Sequence, residues 1–97
     1  MTFQQYYNTK CYPTTKIPLE VITKISFEIQ LGYWLRYCEL KGYVVSAFNT
    51  GYLVYKIKTP VEFIIQADNL EPKSIMYYYK IVIQKTIELI NKENKPF

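Results

Sequence analysis

Of the twelve basic residues in this 97-residue chain only Arg36 is an arginine, and no histidine is present. Without imidazole, general-base work falls to a carboxylate, lysine, tyrosine or cysteine, and Ser–His or Cys–His catalytic pairs cannot be built. Ser26, Ser46 and Ser74 stand in no nucleophile motif, and Gly32, Gly42 and Gly51 are too isolated to form a phosphate-cradling loop. The eight carboxylates are dispersed along the chain, without the clustering that a paired-acid or two-metal site requires. Cys11 and Cys38 lack Cys-x-x-Cys spacing, so a metal site would need carboxylates and two thiols alone. They read as small buried hydrophobes, with a disulfide between them as the alternative in a hyperthermophile's cytoplasm. The expectation is a protein that is not an enzyme and has no cofactor or metal.

What the side chains can do is bind. A net charge of +4 and a pI near 9 favour polyanions without naming one. Lysine is a hydrated point charge suited to phosphate contact, whereas bidentate base reading would fall to Arg36 alone, so a nucleic-acid partner would be read with low sequence specificity. Eleven tyrosines, among them the run Tyr77, Tyr78 and Tyr79, offer stacking surfaces. Tyrosine equally dominates protein interfaces and fills sheets by propensity. Three successive helical residues span about 300 degrees, so one of the run packs inward and the others meet solvent or a partner.

These side chains need elements to place them. Ninety-seven residues with 49% apolar and 21% charged content make one domain able to bury a core without staples. Residues 1–16 read as a loosely attached N-terminal arm with a short edge strand at Thr2 to Tyr7, and residues 17–97 as the domain. From Pro18 to Lys41 an alternating pattern (Ile25, Phe27, Ile29, Leu31, Tyr33) competes with a helical stripe of Glu20, Lys24, Glu28, Gly32, Arg36 and Glu39. Length, Pro18 at the start and Gly42 at the end favour one helix.

GYVVSAFNTGYLVYKIK, Gly42 to Lys58, then reads as a β-hairpin turned through Asn49, Thr50 and Gly51. That turn pairs Phe48 with Tyr52, Val45 with Tyr55 and Tyr43 with Ile57. One face then carries Tyr43, Val45, Ala47, Leu53, Tyr55 and Ile57, and the other Phe48, Tyr52, Ser46, Val54, Val44, Lys56 and Lys58. A third strand, Val61 to Gln66, adds Val61, Phe63 and Ile65 to the mixed face. Pro72 opens a second helix running to about Lys92 with Ile75, Met76, Tyr79, Val82, Ile83, Ile87 and Ile90 inward, and the tail NKENKPF frays.

The predicted fold is therefore α+β: a helix, a three-stranded antiparallel meander and a helix, with both helices on the face of Val45, Leu53, Tyr55 and Ile57. The other face exposes more apolar area than a soluble monomer usually tolerates, which predicts a homodimer. The partner-binding candidates are Phe48, Tyr52, Val54, Lys56, Lys58, Phe63, Tyr77 and Tyr78. The expected function is a protein-interaction regulator or inhibitor acting as a homodimer, with an unknown protein partner. The alternative is a basic DNA- or RNA-binding protein of low sequence specificity, one form of which is a winged helix with the hairpin as its wing. That form needs a helix-turn-helix bent near Gly32, where Glu28 and Tyr33-Trp34-Leu35 fit poorly.

No apolar run approaches eighteen residues and no signal-like stretch follows Met1, so no membrane partner is expected and the chain reads as intracellular. A short chain rich in Ile, Lys and Tyr and free of histidine resembles, across its whole length, the small uncharacterised proteins of viruses that infect hyperthermophilic archaea. The resemblance implies an accessory viral protein of the host cytoplasm that binds nucleic acid, itself or a host protein.

Overall fold

The computed structural model describes residues 2–93. The Thr2 hydroxyl accepts from the Gln5 amide at 3.2 Å, while the Gln5 side-chain oxygen accepts from the Thr2 amide at 2.8 Å. This capping box opens a helix where an edge strand was expected. The segment runs as α1 (Phe3–Tyr6), a π-helical turn (Tyr7–Cys11) and α2 (Tyr12–Thr15), and ends where Lys16 turns left-handed at φ 57°.

Far from hanging loosely, the segment buries Tyr6, Tyr7 and Cys11. Phe3 meets Trp34 edge-on at 5.5 Å and Tyr37 at 5.7 Å, and the Tyr7 ring stands edge-on to Tyr33 at 5.4 Å. The Tyr7 hydroxyl donates to the Ile17 carbonyl at 2.6 Å, which satisfies the one polar atom of a ring that is otherwise fully enclosed. The arm is thus part of the core.

The stretch from Pro18 to Lys41 is helical but not one helix. Pro18 caps α3 (Leu19–Ile22), the chain leaves helical geometry between residues 23 and 26, and α4 (Phe27–Leu40) follows with Ser26 at its N-cap. The β-branched run of Val21, Ile22, Thr23 and Ile25 loses side-chain freedom in a helix, which makes this the weak point of the segment. Gly42, at φ 90°, ends α4 in the left-handed conformation, and its amide donates to the Glu39 carbonyl at 2.9 Å.

Strands β1 (Tyr43–Phe48), β2 (Gly51–Lys56) and β3 (Glu62–Ala67) form an antiparallel sheet in the order β1-β2-β3, with the expected meander connections. The hairpin register differs from the expected one by a single residue: Phe48 pairs with Gly51, Val45 with Val54 and Tyr43 with Lys56. Gly51 lies in the strand and the turn is Asn49–Thr50. Because side chains alternate, this slip moves every β2 residue to the opposite face. Tyr52 and Val54 join Tyr43, Val45 and Ala47 as buried core, while Leu53 and Tyr55 pass to the other side and Ile57 is 71% exposed.

The turn is set by what lies against it. Its two carbonyls accept from beyond the sheet, that of Thr50 from the Leu70 amide and that of Asn49 from the Lys73 amide, each at 2.8 Å. The Asn49 side-chain amide returns a bond to the Lys73 carbonyl at 3.2 Å. A Cβ on Gly51 would sit inside the van der Waals shell of the Ala67 carbonyl oxygen, so only glycine admits this close approach of β2 to the end of β3.

After residues 68–74, α5 (Ile75–Glu93) begins three residues later than Pro72 suggested. Its start is marked by Ser74, whose hydroxyl accepts from the Tyr77 amide at 3.1 Å. Its buried stripe is Tyr78, Val82, Ile83, Thr86, Ile87 and Ile90, so Tyr78 takes the inward place expected for Tyr79, and Ile75 is exposed. Asn91 to Glu93 continue the helix that was expected to fray, and residues 94–97 of that tail lie outside the described residues. α5 packs on β1 and β2, and α4 packs on β1 and α5.

Candidate interaction surface

The sheet face turned away from the helices carries Val44 and Phe48 from β1, Leu53 and Tyr55 from β2 and Phe63 from β3. None of the five is packed against the buried core cluster, and Phe48 and Phe63 stay 44% and 55% exposed. Tyr55 and Phe63 are paired across the strands with ring centroids 5.9 Å apart. Only Ser46 and Gln66 are polar on this face of the paired strands. Sequence reasoning placed Val44, Phe48 and Phe63 here; it missed Leu53 and Tyr55 as their companions because the β2 register was one residue off.

The remaining candidates lie elsewhere. Tyr52 and Val54 point into the core, and the Tyr52 ring lies 6.0 Å from that of Tyr78. Tyr78 is buried as well, its hydroxyl donating to the Glu71 carbonyl, so it is enclosed where an exposed position was expected. Tyr77 is 47% exposed, with the Lys73 ammonium 5.6 Å from its ring centroid.

The hairpin lysines have local partners. The Lys56 ammonium stands 5.2 Å from the Tyr43 ring centroid and 3.8 Å from the Glu93 carboxylate, to which the Tyr43 hydroxyl also donates. Burial, reinforced by that carboxylate, raises the Tyr43 phenol above its ordinary range. Lys58 pairs with Glu62, and the hydrogen bond from its ammonium holds the Glu62 carboxyl below the usual carboxylate value. Neither lysine shares the open apolar face with Phe48 in the way the slipped register implied.

Cys11 and Cys38 are both buried and free, and burial pushes the Cys38 thiol up to about 12, which keeps it protonated and unreactive at neutral pH. Burial, with the Cys11 sulfur beside it, likewise raises the Tyr6 phenol to about 12. Among the described residues no three His, Cys, Asp or Glu side chains gather where they could hold a metal ion, and no helix is long and apolar enough to cross a membrane. Compared with known proteins, the sequence matches no family model, no curated protein and no solved structure.

Proposed function

We propose that this chain is a small, non-catalytic protein-binding regulator that works as a homodimer, two copies meeting through the open sheet face. The observation that supports the reading is that face itself: Val44, Phe48, Leu53, Tyr55 and Phe63 form a contiguous apolar surface outside the packed core. Soluble monomers rarely leave such a patch to water, and a symmetric pair covers it with an identical patch at no cost in unmatched charge. The nucleic-acid reading is weaker, because Lys56 and Lys58 are each already held near a carboxylate.

Light scattering across a concentration series tests the proposal. The expected result is a dimer mass that falls to the monomer value in the double variant Phe48→Ser/Phe63→Ser. A wild-type monomer at high micromolar concentration would remove the homodimer. Oligonucleotide binding that is strong at low salt and declines steeply as salt rises would replace it with the phosphate-contact reading.

A further inference from the structure

The helix layer does not extend over the whole sheet. α5 and α4 cover β2 and β1, and β3 projects beyond them. Between the projecting strand and the outer flank of α5 runs a groove of about 380 Å³, lined by Ile64, Ile65 and Leu89 and by Lys85, Glu88 and Lys92.

A bulge builds the strand side of this groove. The pairing shifts between Val54, which faces Ile65, and Tyr55, which faces Phe63, so Ile64 is the extra residue. Bulges usually guard an edge strand against unwanted pairing. This one turns two consecutive isoleucines towards the helix side, where both pack partly against the core and partly line the groove. Beyond it, β3 pairs only with β2 among the described residues, which leaves the backbone groups of its outer edge free for another chain.

The helix side supplies the charge. Lys85 and Lys92 make no ion pair among the described residues. They stand seven positions apart, about 10.5 Å along one side of α5. Glu88 lies between them, held by the Gln84 side-chain amide at 3.3 Å, and Leu89 adds an apolar centre. The groove therefore reads cation, apolar centre, cation, on a chain of net charge +4.

We propose that this groove binds an extended acidic peptide, which adds as a strand along β3 and seats one apolar side chain against Ile64, Ile65 and Leu89. In an extended chain, residues two positions apart point the same way, so carboxylates two places before and two places after the apolar residue lie about 13 Å apart. The long stems of Lys85 and Lys92 reach both. The Glu88 carboxylate disfavours an acid at the centre. This inference deepens the reading of a protein-binding chain and rests on it, while using a surface separate from the open sheet face.

The test uses fluorescence anisotropy with a labelled ten-residue peptide carrying glutamates two places either side of a central leucine, and a control peptide with lysines at the same places. The wild-type protein is expected to bind the acidic peptide saturably and the lysine peptide at least about tenfold more weakly. Lys85→Glu/Lys92→Glu exchanges exposed side chains and keeps the fold, as circular dichroism checks, and it is expected to invert the preference. N-methylating alternate amides should abolish binding for one edge of the peptide and spare the other.

Equal binding of the two peptides, no binding of either, or indifference to the charge reversal would overturn the proposal. So would an oligonucleotide competing at Lys85 and Lys92, or a change in protein mass on their reversal, which would assign the groove to a second copy. A monomeric wild type that still selects the acidic peptide would remove the dimer and leave the groove standing. A dimer without peptide selectivity would do the reverse.

Discussion

At the scale of single residues, burial governs what the reactive groups can do. Cys38 is fully enclosed, and its thiol titrates at about 12 in the folded chain against an ordinary 9.0. A group whose folded value is raised adds stability that is complete below its unfolded value and is lost as pH climbs towards the folded one. The melting temperature is therefore expected to hold steady up to about pH 9 and to fall above it, as the unfolded chain ionises its thiol while the folded chain retains the proton. Cys38→Ala should flatten the fall between about pH 9 and about pH 10, and thermal melts at stepped pH measure it. Above that range the Tyr6 and Tyr43 phenols, both raised by burial, add the same sign of dependence.

At the scale of elements, two local features decide the architecture. Gly51 admits the close approach of β2 to the Ala67 carbonyl, so Gly51→Ala must push the end of β3 away or break the Phe48–Gly51 register. A cost of about 2 kcal/mol or more is expected in urea unfolding, compared with less than about 0.5 kcal/mol for a substitution at the exposed Asn8. The N-terminal helical segment is the second feature. Removing residues 2–16 would strip Phe3, Tyr6 and Tyr7 from Trp34, Tyr33 and Tyr37, and losing even one such enclosed ring costs about 3–5 kcal/mol. The truncated chain is expected to lose cooperative thermal unfolding, whereas a dispensable arm would leave the transition unchanged.

At the scale of the whole molecule, the three-stranded sheet has α4 and α5 on one face, while Val44, Phe48, Leu53, Tyr55 and Phe63 on the other lie outside the packed core. Packing on the helix side carries the fold: Val82, Ile83 and Ile90 are fully buried, each contributing about 1.5–3 kcal/mol over an exposed side chain. Phe48 and Phe63 contribute little to the single chain because both already stand half in water. Phe48→Ser/Phe63→Ser should therefore change the unfolding free energy of the monomer by less than about 1 kcal/mol while shifting the mass seen by light scattering. A loss of several kcal/mol at a constant mass would mean that the face is covered from within the chain.

Much of this was legible in the chain. Alternating apolar residues flanking Asn49–Thr50, the helical stripe of α5 and the Gly42 stop led to the three strands, their order and the helices on either side of them, because these depend on local periodicity and backbone preference. The arm carried a readable signal as well: Phe3, Tyr6, Tyr7 and Cys11 recur at helical spacing behind a Thr2–Gln5 capping box, but polar neighbours and Pro13 obscured it. The hairpin register was decided by tertiary structure. Asn49-Thr50-Gly51 supports a two- or a three-residue turn about equally, and the choice falls to Leu70 and Lys73, whose amides hold the Thr50 and Asn49 carbonyls, respectively, from far along the chain. One residue of slip exchanged Tyr52 and Val54 for Leu53 and Tyr55, and with them the composition of the open face. Side-chain types along the chain determined that this protein has an apolar surface to cover, whereas long-range hydrogen bonds and the close approach at Gly51 decided which residues form it, since local energies cannot separate two registers that both alternate.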